Sequence, residues 1–225
     1  VSPAGRPSFA LVTDRRRLAP DARTVPAALL ALERAIDEAV AAGIDLVQIR
    51  ERDLPTADLV AFVDRVGQRT RGTRTGLVVN DRADVARVAQ ADGVHLRADG
   101  PPESRVRAFG PPAWRIGRSI HAAADVAAHP GADYFLFGTM FPSGSKAPDG
   151  PVQTLATLAV VVAASSVPVW VIGGMTVDRV AACLAAGAAG VAAIGAFLDE
   201  ATQPGVVFTR VEAMRRAAAA GFAVE

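Results

Sequence analysis

The stretch AAGIDLVQIR, residues 41–50, decides the fold. Two alanines close a helical pattern, a glycine follows, and an apolar run then leads to an arginine. Glycine tolerates the left-handed backbone that ends a helix. A short Val/Ile/Leu-rich run after such a stop reads as a strand buried on both faces. The same order returns in ADGVHL (91–96), HPGADYFLF (129–137) and AAGAAGVAA (185–193).

Working outward, strands are predicted over 8–13, 44–50, 76–80, 93–96, 115–120, 134–138, 168–174 and 190–195. Helices are predicted over 26–42, 56–70, 84–91, 103–109, 122–129, 152–164, 178–186 and 208–220. Residues 26–42 carry Leu29, Leu32, Ile36 and Val40 at helical spacing, and 56–70 carry Leu59, Phe62, Val63 and Val66. Eight strand–helix alternations in one chain predict an α/β fold, a (β/α)8 TIM barrel. The expected domain is single, spanning 1–225 with the barrel over about 8–220. An open doubly wound sheet is the alternative, large at eight strands for so short a chain.

Composition narrows the function classes. The 24 basic and 23 acidic residues nearly cancel, so no basic footprint supports nucleic-acid binding. Cys183 is the only cysteine, which excludes an internal disulfide. VSPAGRPSFALVTD lacks the long apolar core of a signal peptide. LAVVVAASSVPVWVIGG is broken by Ser165, Ser166 and Pro168, so no membrane span is expected. These features predict a cytoplasmic protein.

In such a barrel chemistry gathers where strands end. Those ends carry Thr13-Asp14, then Gln48, Arg50, Glu51 and Arg52, Asn80-Asp81, His95, and Arg118, Ser119 and His121. Gln48, Arg50 and Arg52 alternate, so period two points them together into the mouth, where paired guanidiniums favour an anion. An internal salt bridge to Glu51 or Asp53 is disfavoured because those residues are out of phase. Gly173-Gly174 and Ala193-Ile194-Gly195 expose main-chain N–H groups after the seventh and eighth strands, a phosphate site in this architecture. Asn80-Asp81 either cap the next helix or contact a ligand or Mg²⁺. His95 reads first as a core histidine, His129 as a surface one. His121 follows the fifth strand directly, where an imidazole can exchange protons or cap a helix. Residues 139–151, TMFPSGSKAPDGP, read as a lid in which Lys146 closes over a phosphate.

QIRERD, VNDRADVA, ADGVHL, GRSIHAAAD, GADYFLFGTMFPSGSK, VIGGMT and GVAAIGAF occur in an order that resembles the thiamine phosphate synthase/TenI superfamily, over about residues 9–198. The resemblance implies the eight-stranded barrel and one of two chemistries. A synthase joins an aminopyrimidine diphosphate to a thiazole phosphate, releasing pyrophosphate with Mg²⁺. A TenI-type thiazole tautomerase moves a proton on a carboxythiazole phosphate and needs no cofactor. IRER and GRSIH resemble the TenI branch more closely, which makes the tautomerase the first expectation and the synthase the alternative. A non-catalytic regulator binding thiazole or thiamine phosphate is a third. In every case the expected partner is a small phosphorylated molecule, and a homo-oligomer is left open.

The resemblance assigns His121 as general acid/base, Ser119 as a substrate-positioning group and Arg118 as a contact for a carboxylate. It places Gln48, Arg50, Arg52, Asn80, Asp81 and Lys146 around the substrate, with Asp81 a metal ligand only in a synthase. Arg52 stands where synthases resemble Gln-x-Arg-x-Lys. Gly100 stands where a second acidic metal ligand is expected, with Asp99 one residue away. Strand alternation sets Arg118 out of phase with Ser119, so one of them turns away from the mouth.

Overall fold

The computed structural model describes residues 6–142 and 151–222. Eight strands, β1 (Ser8–Val12), β2 (Leu46–Ile49), β3 (Gly76–Asn80), β4 (Gly93–Leu96), β5 (Arg115–Ile120), β6 (Tyr134–Gly138), β7 (Val169–Ile172) and β8 (Gly190–Ala193), close into a barrel in sequence order. Each pair is parallel, and β1 closes on β8 through Phe9 opposite Val191. The closed (β/α)8 topology is the one the alternation predicts, and it leaves no free sheet edge.

The helices are α1 (Arg15–Leu18), α2 (Val25–Ala41), α3 (Thr56–Thr70), α4 (Ala83–Val88), α5 (Glu103–Phe109), α6 (Ala123–Ala128), α7 (Leu155–Ala164), α8 (Val177–Ala185), α9 (Gly195–Leu198) and α10 (Val206–Phe222). Thr24 starts α2 by accepting from the N–H of Ala27, and Thr154 caps α7 through Thr157. After α2, Gly43 takes φ +75°, the left-handed step that returns the chain to β2. Two four-residue helices, α1 and α9, are too short to carry a period and were not expected from the sequence. Among the described residues, no helix is long and apolar enough to cross a membrane.

Period two sorts side chains into two cores. Outward residues such as Leu11, Val47, Val79, Val94, Ile116 and Phe135 pack under the helices with Leu32, Ile36, Phe62 and Val66. The barrel interior is filled by Ala10, Val12, Leu46, Val78, Tyr134, Leu136, Trp170 and Ala192. Small residues on β1 and β8 face aromatic ones on β6 and β7, and the volumes complement each other. Gly117 makes this possible: a Cβ there would lie 2.2 Å from the Tyr134 ring. Tyr134 packs on Trp170 with centroids 5.1 Å apart.

Phase also corrects one expectation. On β5, Ser119 points inward and Arg118 outward, into the layer beneath α5. Arg118 is wholly buried and donates to Glu103 Oε1 (2.5 Å), the Arg97 carbonyl (2.8 Å) and the Pro101 carbonyl (2.6 Å). It therefore does not face a substrate carboxylate; it anchors the loop between β4 and α5. His129, expected at the surface, joins the cluster with Nδ1 3.1 Å from Glu103.

Candidate active site

The carboxyl ends of the strands surround a cavity of about 720 Å³. Gln48, Arg50, Arg52, Asn80, Ser119 and His121 line it, as do Gly173, Gly174, Ala193, Ile194 and Gly195. Asp81 and Arg118 do not. Ser143, Ser145 and Lys146 lie outside the described residues.

On the β2–β3 side Arg50 and Arg52 are held apart from the acids beside them in sequence, Glu51 and Asp53. Glu51 and Asp53 turn to Arg15, at 2.8 and 2.5 Å, and Arg16 also reaches Asp53. The Arg15 guanidinium holds the Asp53 carboxyl at about 2. Arg50 and Arg52 are left with no ion pair among the described residues. Burial and the neighbouring Arg52 push the half-buried Arg50 guanidinium below its ordinary value. Asp14, Glu51 and Asp81 act on it only from a distance and do not offset the burial; a partly desolvated cation with no paired carboxylate is costly, and an anionic ligand relieves that cost.

Beneath them Gln48 Nε2 donates to Asn80 Oδ1 (3.0 Å), and Asn80 Nδ2 donates to Asp81 Oδ2 (2.9 Å). The other Asp81 oxygen accepts from the Arg97 N–H at 2.9 Å. Asp81 thus braces Asn80 and the loop after β4 instead of facing the cavity, which corrects its assignment as a substrate contact. It does not cap the next helix either; Arg82 occupies that position. Gln48 Oε1 is buried and lacks a hydrogen-bond donor.

Deeper in the barrel, His95 Nε2 lies 2.9 Å from Ser119 Oγ and Nδ1 lies 3.2 Å from Tyr134 Oη. Burial, helped by Arg118, pushes the imidazole down to about 3, so it stays neutral near pH 7. Neutral imidazole offers one donor and one acceptor. With both nitrogens engaged, His95 orients the Ser119 hydroxyl at the cavity floor.

His121 sits at the rim. Its Nδ1 is 2.6 Å from the Gly138 carbonyl, which can only accept, so Nδ1 carries the proton. In the neutral ring Nε2 keeps its lone pair. The backbone around the ring is pinned by Asp125, which accepts from the His121 N–H, and by Gln153, which donates to the His121 carbonyl.

Opposite the arginines, none of the amides of Gly173, Gly174, Ile194, Gly195 and Ala196 donates to a loop or turn carbonyl among the described residues. Adjacent N–H groups left in this way suit an anion. Arg179 donates to the Gly174 carbonyl and stacks 4.5 Å from the Phe141 ring centroid, fixing that turn. Gly174 has φ +59°, and a Cβ there would lie 2.4 Å from the Pro142 carbonyl oxygen.

Four charged cavity residues, Arg17, Arg97, Arg179 and Asp199, escape the sequence reading. Arg97 was within reach of it, because it continues the period-two phase of His95. Arg17 lies in a run of three arginines with no phase to read, Arg179 sits inside α8, and Asp199 falls in the turn that ends the four-residue α9.

Acidic groups are scarce where a synthase would be expected to hold its metal. Asp99 is 78% exposed and paired with Arg97 at 2.8 Å. Gly100 offers no side chain, and a Cβ there would lie 3.0 Å from the Arg97 carbonyl oxygen and 3.2 Å from Arg118 Nη1. No three His, Cys, Asp or Glu residues cluster as a metal site among the described residues. This donor set does not fit a divalent ion held by two protein carboxylates.

Comparison with known proteins agrees with the geometry. A thiamine-phosphate synthase from Methanoculleus marisnigri is 43% identical over 164 residues, 72% of this chain and 78% of that protein. One from Roseiflexus castenholzii is 35% identical over 198 residues, 87% of this chain and 83% of that protein. The structure of a thiamine phosphate pyrophosphorylase from Pyrococcus furiosus superposes with a TM-score of 0.79 at 27% identity, covering 95% of this chain and 96% of that one. The family model described as thiamine monophosphate synthase matches residues 21–197, and to that family this chain belongs.

Proposed function

We propose that the chain is a thiamine-biosynthetic transferase that joins an aminopyrimidine diphosphate to a thiazole phosphate and releases pyrophosphate. The observation that carries this reading is that two groups suited to anions line one cavity. Arg50, Arg52 and Asn80 form one; the amides after β7 and β8 form the other. A reaction between two phosphorylated molecules needs both. The names of the curated relatives favour the same choice, and the tautomerase preferred from IRER and GRSIH takes second place.

In this reading the thiazole phosphate rests on the turn amides. The diphosphate meets Arg50 and Arg52, whose charge grows more valuable as the leaving pyrophosphate gains negative charge. Gln48 Oε1, buried without a donor, accepts from the exocyclic amine of the pyrimidine. Ser119, oriented by His95, lies between the two groups. Because the donor set does not fit a divalent ion held by two protein carboxylates, no step here is routed through a metal, and the guanidiniums carry the countercharge.

The test is a coupling assay with both substrates, with and without chelator. Pyrophosphate release in proportion to the joined product supports the synthase. Conversion of a carboxythiazole phosphate tautomer alone, with no coupling, supports the second reading. One observation favours that reading specifically: His121 presents a fixed Nε2 lone pair at the rim, as a proton-transfer catalyst requires.

A further inference from the structure

Gly195 belongs to the amide turn proposed to hold the thiazole phosphate, and an ion pair lies against it. A Cβ built on Gly195 would stand 2.5 Å from Asp199 Oδ2 and 2.6 Å from Arg17 Nη2. Arg17 Nη2 donates to Asp199 Oδ2 at 2.5 Å, and Arg17 Nε donates to Oδ1. Both side chains line the cavity and are partly open, 26% and 43% exposed. Buried pairs elsewhere in the molecule are locked by additional partners; this one faces the space a ligand would enter.

The two residues are anchored in ways that leave the carboxylate free to turn. The main chain of Asp199 is held by Arg210, which donates to the carbonyls of Asp199 and Phe197. Arg17 is fixed on α1, where its N–H donates to Asp14 at 3.1 Å. A rotation about the Asp199 side chain would therefore release the guanidinium without moving either backbone.

We propose that Arg17 is a ligand of the substrate phosphate and that Asp199 is its internal stand-in, displaced when the phosphate arrives. The proposal rests on the reading that the turn amides hold a phosphate, and it adds the cation that those amides lack. Guanidinium and phosphate pair bidentately, and a dianionic phosphate outcompetes a single carboxylate for the same fork. The exchange also gives selectivity, since a weak monoanion must displace a carboxylate of equal charge and gains little.

Titration calorimetry of the full chain with inorganic phosphate tests it. Arg17→Gln weakens phosphate binding roughly tenfold, the size expected for loss of a charge-assisted contact. Asp199→Asn tightens binding relative to wild type, and a gain of affinity cannot come from a damaged fold. The double variant binds like Arg17→Gln alone. Phosphate affinity unchanged in Asp199→Asn, or unchanged in Arg17→Gln, overturns the role of the pair while leaving the amide turn intact. A wild-type chain that binds no phosphate overturns the amide turn itself.

Discussion

Two arginines at different strands of the barrel have opposite surroundings. Arg118 points out from β5 and is wholly buried, yet it meets a carboxylate and two carbonyls. Arg50 points in at the end of β2, only half-buried, and forms no ion pair among the described residues. The difference teaches that the strand's phase, not the residue type, decides which cation serves the fold and which waits for a ligand. Outward Arg118 is compensated within the protein, whereas Arg50 and Arg52 at the mouth form no ion pair among the described residues.

The sharpest way to break this contrast is to remove Arg118. Arg118→Met leaves Glu103 buried with only His129 beside it, and the expected loss is about 3–5 kcal/mol in urea unfolding. Adding Glu103→Gln recovers part of it. An Arg118→Met protein of wild-type stability would erase the distinction.

Arg50→Met is expected to do the reverse. Stability holds or rises, because a desolvated cation has gone, while coupling slows roughly 10²–10³-fold, typical for loss of a transition-state charge contact. Steady-state rates beside an unfolding curve separate the two effects. A drop in stability without a drop in rate would place Arg50 with Arg118.

Below the mouth His95 is kept uncharged, and pH reads this out. The unfolded chain takes a proton on His95 below about 6.5, whereas the folded chain refuses it down to about 3. Stability therefore falls as pH drops through that window, by up to about 1.4 kcal/mol per pH unit. His95→Gln flattens the slope between those limits; an unaltered slope would mean that another group carries it.

The smallest expected effect belongs to Asp53, outside the mouth. Arg15 holds its carboxyl at about 2, below the ordinary 3.8. That stabilisation is complete above pH 3.8 and lost as pH falls through 2. Acid unfolding of Asp53→Asn shifts only slightly, since Asp53 is 38% exposed and solvent screens the pair.

The barrel was legible because each strand is short, apolar and set off by glycine or proline, so eight alternations stand out without tertiary knowledge. Gln48, Arg50 and Arg52 were legible for the same reason: period two fixes their common direction once Val47 and Ile49 are assigned to the helix side. The outward direction of Arg118 was within reach, since it shares the phase of apolar Ile116 and Ile120, but what it does there was not. Its burial depends on Glu103, fifteen positions earlier, a partner that no local pattern reveals. The resemblance placed Asp81 at the substrate, but its direction is set by Asn80 and the Arg97 amide. The choice between branches turned on IRER and GRSIH, and in GRSIH the distinctive arginine lies outside the cavity. It therefore says little directly about substrate contact.

The segment from Gly138 to Phe141 has a consequence of its own. The Gly138 carbonyl sets the tautomer of His121, while the Phe141 N–H donates to the Gly173 carbonyl at 3.1 Å. Four consecutive residues thus tune an imidazole and an amide nest from one backbone, like one bridge setting the pitch of two strings. In the proposed reading, a substitution in this segment therefore alters the imidazole and the phosphate turn together.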